Sequence, residues 1–99
     1  MNVVLVRYTT RPDTAEENER LIEQVFAELH ASQPVGLRYA NFRLDDGVSF
    51  VHVVGLDGDV DPLRRTAAFG EFQTGIRQRV VGRIEPAEAT LVGAYRFLV

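Results

Sequence analysis

The chain contains no cysteine, no lysine and no tryptophan. Without cysteine there is no disulfide, no thiolate nucleophile and no sulfur-ligated metal site. Without lysine there is no Schiff-base chemistry on an amine side chain. Serine occurs only at Ser32 and Ser49, neither in a nucleophile-elbow pattern. Histidine occurs only at His30 and His52, with no His-Glu-x-x-His or similar ligand spacing around either. The sequence therefore carries no metal motif and no covalent catalysis through Cys or Lys. No apolar run approaches the roughly 20 residues that cross a bilayer, and the first residues lack a basic leader. The expectation is a cytoplasmic chain with no membrane partner. A net charge of −3 without a basic stripe argues against nucleic acid. All eleven basic residues are arginine, which reads as coding bias rather than mechanism.

What is present is an ordinary globular composition, 45% apolar and 25% charged over 99 residues, suited to one domain spanning 1–99. Asn2–Thr10 is β-branched and aromatic and reads as a strand that stops at Arg11-Pro12. Thr14 and Glu17 form a Thr-x-x-Glu capping-box pattern ahead of the stripe Leu21, Ile22, Val25, Phe26 and Leu29, predicting a helix over Thr14–Ser32. Two strands, about Gly36–Asp45 and Val48–Leu56, flank Asp46-Gly47, which suits a two-residue type I′ turn. Asp61-Pro62 opens a second helix running towards Val80, where Gly70 and Gly75 predict a kink or two shorter pieces. Ala89–Val99 reads as the closing strand. The order β-α-β-β-α-β is the ferredoxin-like plan, an α+β fold with two helices on one face of a four-stranded antiparallel sheet.

The turn fixes the hairpin register by counting outward. Arg43 faces Phe50, Asn41 faces His52 and Tyr39 faces Val54. These six share one sheet face, which reads as a lined cavity. Arg38, Ala40, Phe42, Leu44, Ser49, Val51 and Val53 share the other, greasier face, expected to lie on the helices. Both faces are apolar in the outer segments too. Val3 and Leu5 oppose Val4, Val6 and Tyr8; Val92, Ala94 and Leu98 oppose Leu91, Tyr95 and Phe97. A face without its own cover implies a two-fold partner packing sheet against sheet, or an open face that binds another protein.

The candidate site follows from that register. His52 and Asn41 form either a proton acceptor with its orienting amide or a cross-strand hydrogen bond. Tyr39, on the same face, and Tyr8 and Tyr95, from neighbouring strands, either hold a substrate oxygen or are core rings with a wet tip. Phe50 and Phe72 complete the apolar lining, with Phe69, Phe72 and Ile76 a helical stripe from which one ring can roof a pocket. Arg43 reads as a rim arginine over Phe50. Arg7 and Arg96, read as strand-interior arginines, call for carboxylate partners or a ligand anion. Asp57-Gly58-Asp59-Val60-Asp61 lacks the remainder of a calcium loop and reads as a helix-capping turn.

The first strand ending in proline (VVLVRYTTRP), the Asp-Gly hairpin and the aromatic second helix (AAFGEFQTGIRQRV) resemble the dimeric α+β barrel superfamily over essentially the whole chain. Its best-known members are antibiotic-biosynthesis-type monooxygenases. The resemblance implies a homodimer and a ligand site between sheet and helices. For activity it implies a cofactor-independent monooxygenase on a small aromatic or quinol-type substrate, or a non-catalytic homodimer that binds a small hydrophobic ligand or protein partner. Many quinol-oxygenase-like members carry Glu-x-Trp near the third strand's end; this chain reads VHVVGLDG there. Haem-degrading members use a Trp and a helical His, and neither is present beyond His52.

Overall fold

The computed structural model describes residues 1–97. Strands β1 (Asn2–Thr10), β2 (Leu37–Arg43), β3 (Ser49–Leu56) and β4 (Val80–Ala89) form one antiparallel sheet in the order β2-β3-β1-β4. Helix α1 (Ala15–Ser32) follows a 3-10 turn at Pro12–Thr14, and α2 (Ala67–Thr74) and α3 (Ile76–Arg79) form the second helical crossing. This is the expected α+β, ferredoxin-like arrangement.

The helix ends are built differently from the sequence pattern. Thr14 precedes α1, but its side chain makes no cap; its hydroxyl donates to the carbonyls of Arg11 and Arg79 instead. Asp61 accepts from Leu63 N–H, and only a 3-10 turn (Leu63–Arg65) follows. The true cap of α2 is Thr66, whose hydroxyl accepts from Phe69 N–H. Glu28 of α1 adds a carboxylate to the same end, accepting from Ala67 N–H and Ala68 N–H at 3.2 and 2.9 Å. Gly75 divides α2 from α3, as the glycine pattern predicts.

The hairpin register is the expected one, with Asn41 opposite His52 and Arg43 opposite Phe50. The turn is not type I′, which needs positive φ at both central residues. Gly47 alone is left-handed here, at φ 79°. Gly47 N–H donates to the Leu44 carbonyl, and the Asp46 carboxylate accepts from Val48 N–H, Ser49 N–H and the Ser49 hydroxyl. The same number of residues joins the strands either way, so the register survives the change of turn.

The helices lie on the face opposite to the one expected. Tyr8 and Phe50, with Leu21, Ile22 and Val25 of α1, Leu63 and Phe72, are the buried core, and Val6, Tyr39 and Val54 pack against it. Aromatic rings bury more area than valine or alanine, and the tyrosine hydroxyls find partners inside, so the layer with fewer aliphatic residues is the core layer. Val3, Leu5, Val51, Val53, Ala40 and Phe42 occupy the other face, half-buried and without a helix over them.

The closing strand is also relocated. β4 is Val80–Ala89, and the segment expected to close the sheet leaves it at Thr90, with Leu91, Val92, Tyr95 and Phe97 exposed. Leu98 and Val99 lie outside the described residues. β4 was hard to read because it is an edge strand, carrying Gly82, Pro86 and three charges where apolar alternation was sought. Its register against β1 shifts between Arg7 and Thr9, with Gly82 at φ 77°, so the sheet carries a bulge beside Tyr8. Arg7 is exposed, and Arg96, at φ 50°, lies outside the sheet with its guanidinium over the Tyr95 ring.

Candidate functional site

A cavity of about 410 Å³ lies between the sheet and the second helical crossing. Val4, Val6, Val54, Leu63, Phe69, Phe72, Ile76 and Ile84 make its apolar walls. Tyr8 and His52, both almost fully buried, belong to the wall, and the exposed Arg64, Gln73 and Arg77, with Asp61, line the site as well. Arg64 is paired with Asp61 at 3.2 Å. The volume lies within the range of small-molecule sites.

His52 is hydrogen-bonded at both ring nitrogens, and neither partner is Asn41. Its Nε2 lies 2.8 Å from the Tyr8 hydroxyl and its Nδ1 lies 2.6 Å from the Tyr39 hydroxyl. The network continues into the helices. Asn18 Nδ2 donates to the Tyr8 oxygen at 2.9 Å, Arg79 Nε donates to Asn18 Oδ1 at 2.9 Å, and Arg79 NH2 donates to the Phe72 carbonyl at 2.7 Å. Arg79, Asn18, Tyr8, His52 and Tyr39 thus form one continuous chain, drawn from α3, α1, β1, β3 and β2.

The chemistry of its members gives this chain a direction. Guanidinium only donates, so Asn18 must turn its oxygen to Arg79 and its amide nitrogen to Tyr8. Tyr8 then accepts from Asn18, and among the described residues its hydrogen has one acceptor, His52 Nε2. With the Tyr8 hydrogen on Nε2, the neutral imidazole carries its proton on Nδ1, which donates to the Tyr39 oxygen. Burial pulls His52 from 6.5 down to about 4, so the ring is neutral at physiological pH. Burial pushes the Tyr8 phenol up to about 12, against the opposing pull of the Asn18 hydrogen bond and the Arg79 charge. Tyr39 is also raised, by burial and by Tyr8.

The other expected site residues are distributed as follows. Asn41 is level with His52, but its Nδ2 is buried without a hydrogen-bond partner among the described residues. Its amide is close enough to Tyr39 to offset part of that phenol's rise, without hydrogen-bonding geometry. Phe72 lines the cavity; Phe50 is fully buried, stacked on Tyr8 at 5.7 Å, and does not reach it. Tyr95, 77% exposed in the segment after β4, is not part of the cavity. Arg43 is a rim residue, 5.8 Å over Phe50 and paired with Glu16 and Glu19. Asp57 pairs with Arg38, and among the described residues no cluster of three His, Asp or Glu could hold a metal ion.

No family profile and no curated protein matches the sequence. Solved structures do match. A putative antibiotic biosynthesis monooxygenase from Nitrosomonas europaea superposes with TM-score 0.79 at 14% identity, over 94% of this chain and 100% of that one. SnoaB, a cofactor-independent oxygenase from Streptomyces nogalater, gives 0.66 at 19% identity over 96% of each chain. The chain has the antibiotic biosynthesis monooxygenase fold. A third such structure, Rv0793 from Mycobacterium tuberculosis, gives 0.75 at 16% identity over 94% and 96% of the two chains. At these identities the antibiotic biosynthesis monooxygenase fold is what is shared.

Asn18 and Arg79 were missed by reading the sequence, yet both left a trace. Asn18 extends the apolar stripe of α1 one turn back from Leu21 and Ile22, and Arg79 sits three residues after Ile76 on the stripe of the second helix. A polar group on an apolar stripe asks for a buried partner.

Proposed function

We propose that this chain is the subunit of a homodimeric, cofactor-independent monooxygenase that takes a small aromatic or quinol-type molecule with an acidic hydroxyl into the cavity. The observation that carries this reading is the hydrogen bond between Tyr8 and His52 at the wall of an otherwise apolar pocket. A substrate hydroxyl at Tyr8 gives its proton to the Tyr8 oxygen while Tyr8 passes its own to His52 Nε2. The Nδ1 proton moves to Tyr39, which releases one towards solvent. The imidazolium is transient, so the low basicity of His52 is compatible with its role as a relay. The resulting enolate carbanion forms a C–O bond with O2, and the distal oxygen takes a proton from Tyr8. Loss of the remaining C–H proton to the Tyr8 oxygen breaks the O–O bond, and the departing hydroxide takes back the proton released to solvent, leaving a carbonyl, one water and Tyr8 restored. The likeness to SnoaB supports the same direction.

The face of Val3, Leu5, Val51, Val53, Ala40 and Phe42, without a helix over it among the described residues, supports the homodimer in this reading. The second reading, a dimer that binds an apolar ligand without turnover, is favoured by one fact: both nitrogens of His52 are already satisfied inside the protein. Oxygen uptake by metal-stripped protein with anthrone-like and hydroquinone substrates separates the two. One O2 consumed per substrate, reduced about 100-fold in His52→Gln and Tyr8→Phe, supports the oxygenase. Ligand-induced thermal stabilisation without uptake supports the binding module, and neither response overturns the site.

A further inference from the structure

Arg79 is 4% exposed, and among the described residues no carboxylate pairs with it. Its recorded partners are neutral: Asn18 Oδ1, the Phe72 carbonyl, and the Phe72 ring, 5.1 Å from the guanidinium carbon. A buried charge without a counter-ion is costly and is retained where something else needs it. Room has been made for it: a Cβ on Gly75 would lie 3.0 Å from Arg79 NH1. Phe72 and Tyr8, which it touches directly and through Asn18, are both cavity walls.

We infer that Arg79 is a specificity-determining positioning residue that makes the cavity bind an acidic aromatic hydroxyl as its anion. This deepens, and rests on, the reading of the cavity as a site for such a molecule. Two effects act together. The guanidinium places a positive charge, with no carboxylate in direct contact among the described residues, behind Tyr8, and by holding Asn18 it keeps a donor on the Tyr8 oxygen. When an anionic ligand oxygen meets Tyr8, the Tyr8 hydrogen turns to it, His52 donates from Nε2 to the Tyr8 oxygen, and Tyr39 donates to Nδ1. Tyr8 then accepts two hydrogen bonds and donates one to the ligand, a strong arrangement for an oxyanion. No atom in the network loses a partner in the exchange. Asn41 Nδ2, buried and without a partner among the described residues, belongs to the surroundings of Tyr39.

The charged and titratable groups around the ligand position come from five segments, whereas α2 and β4 contribute only Phe69, Phe72, Gln73 and Ile84 to the lining. They are Tyr8 on β1, His52 on β3, Tyr39 on β2, Asp61 and Arg64 before α2, and Arg77 and Arg79 on α3, with Glu17 of α1 acting on Arg79 from a distance. Asp61 is paired with Arg64, so an anion in the cavity meets Arg77 at the exposed side and Arg79 behind the wall. The two are separable because a surface charge is screened by salt and a buried one is not.

The probe is 4-nitrophenol, whose ionisation is read from its visible absorption, with 4-nitrotoluene as the form that cannot ionise. The bound phenol is expected to ionise at least one pH unit below the free phenol, about a tenfold preference for the anion. The shift persists at high salt and in Arg77→Gln and Arg79→Lys. In Arg79→Gln it disappears, while 4-nitrotoluene still binds. A bound phenol with unchanged or raised ionisation overturns the inference and leaves the cavity reading standing. A shift that collapses in salt or with Arg77→Gln assigns selection to the rim and overturns it too. If Arg79→Gln does not fold, the salt series on the wild type still decides. Failure of both probes to bind overturns the cavity reading itself.

Discussion

His52 sits between two tyrosine hydroxyls, with a lowered affinity for protons that comes from burial. Its unfolded form takes up a proton near pH 6.5, and its folded form only near 4. Between those values the unfolded chain binds more protons, so stability falls as pH drops through this window. The loss approaches about 3 kcal/mol by pH 4. Urea denaturation from pH 7 to pH 4 is expected to show this slope in the wild type and a flatter one in His52→Gln. The register that sets Asn41 across from His52 was legible from one turn, but the hydrogen bond expected between them was not formed. Counting residues gives which Cα atoms oppose each other, whereas the longer reach of Tyr8 and Tyr39, one from a strand not in the hairpin, decides who touches the imidazole. That decision needs the sheet order.

Elements were legible where apolar periodicity and breakers agreed. β1, α1 and the two hairpin strands fall within about two residues of their expected bounds, and the break at Gly75 is where glycine weakens the helix. They were illegible where the signals conflicted. The segment after Ala89 alternates well and is no strand through residue 97, whereas Val80–Ala89 alternates poorly and pairs with β1 for most of its length. Long-range pairing, absent from any local window, overrides propensity at an edge. The start of α2 makes the same point, since its second cap is a carboxylate from 39 residues earlier in the chain. Removing that charge with Glu28→Ala is expected to cost about 0.3–1 kcal/mol in chemical denaturation, with hydrogen exchange quickening first at Ala67 and Ala68.

The whole molecule has one covered and one uncovered sheet face, and the sequence showed that both are apolar without showing which is which. If a second copy covers the open face, light scattering at micromolar concentration gives about twice 11.1 kDa. Leu5→Asp, in the middle of that face and away from the cavity lining, is expected to yield a folded monomer; a Leu5→Asp protein that remains dimeric would place the contact elsewhere. The sheet has two flanks besides its faces, and Pro86 in β4 gives one of them a particular character. A proline cannot donate a backbone hydrogen, and Glu85 and Glu88 put like charges along the same border, so strands from further copies find no template there. Lateral addition is disfavoured along this border, and with it one route from the single sheet to a fibre. Pro86→Val restores the missing donor, and a shortened lag in thioflavin-monitored aggregation is the expected sign that this border had been a gatekeeper.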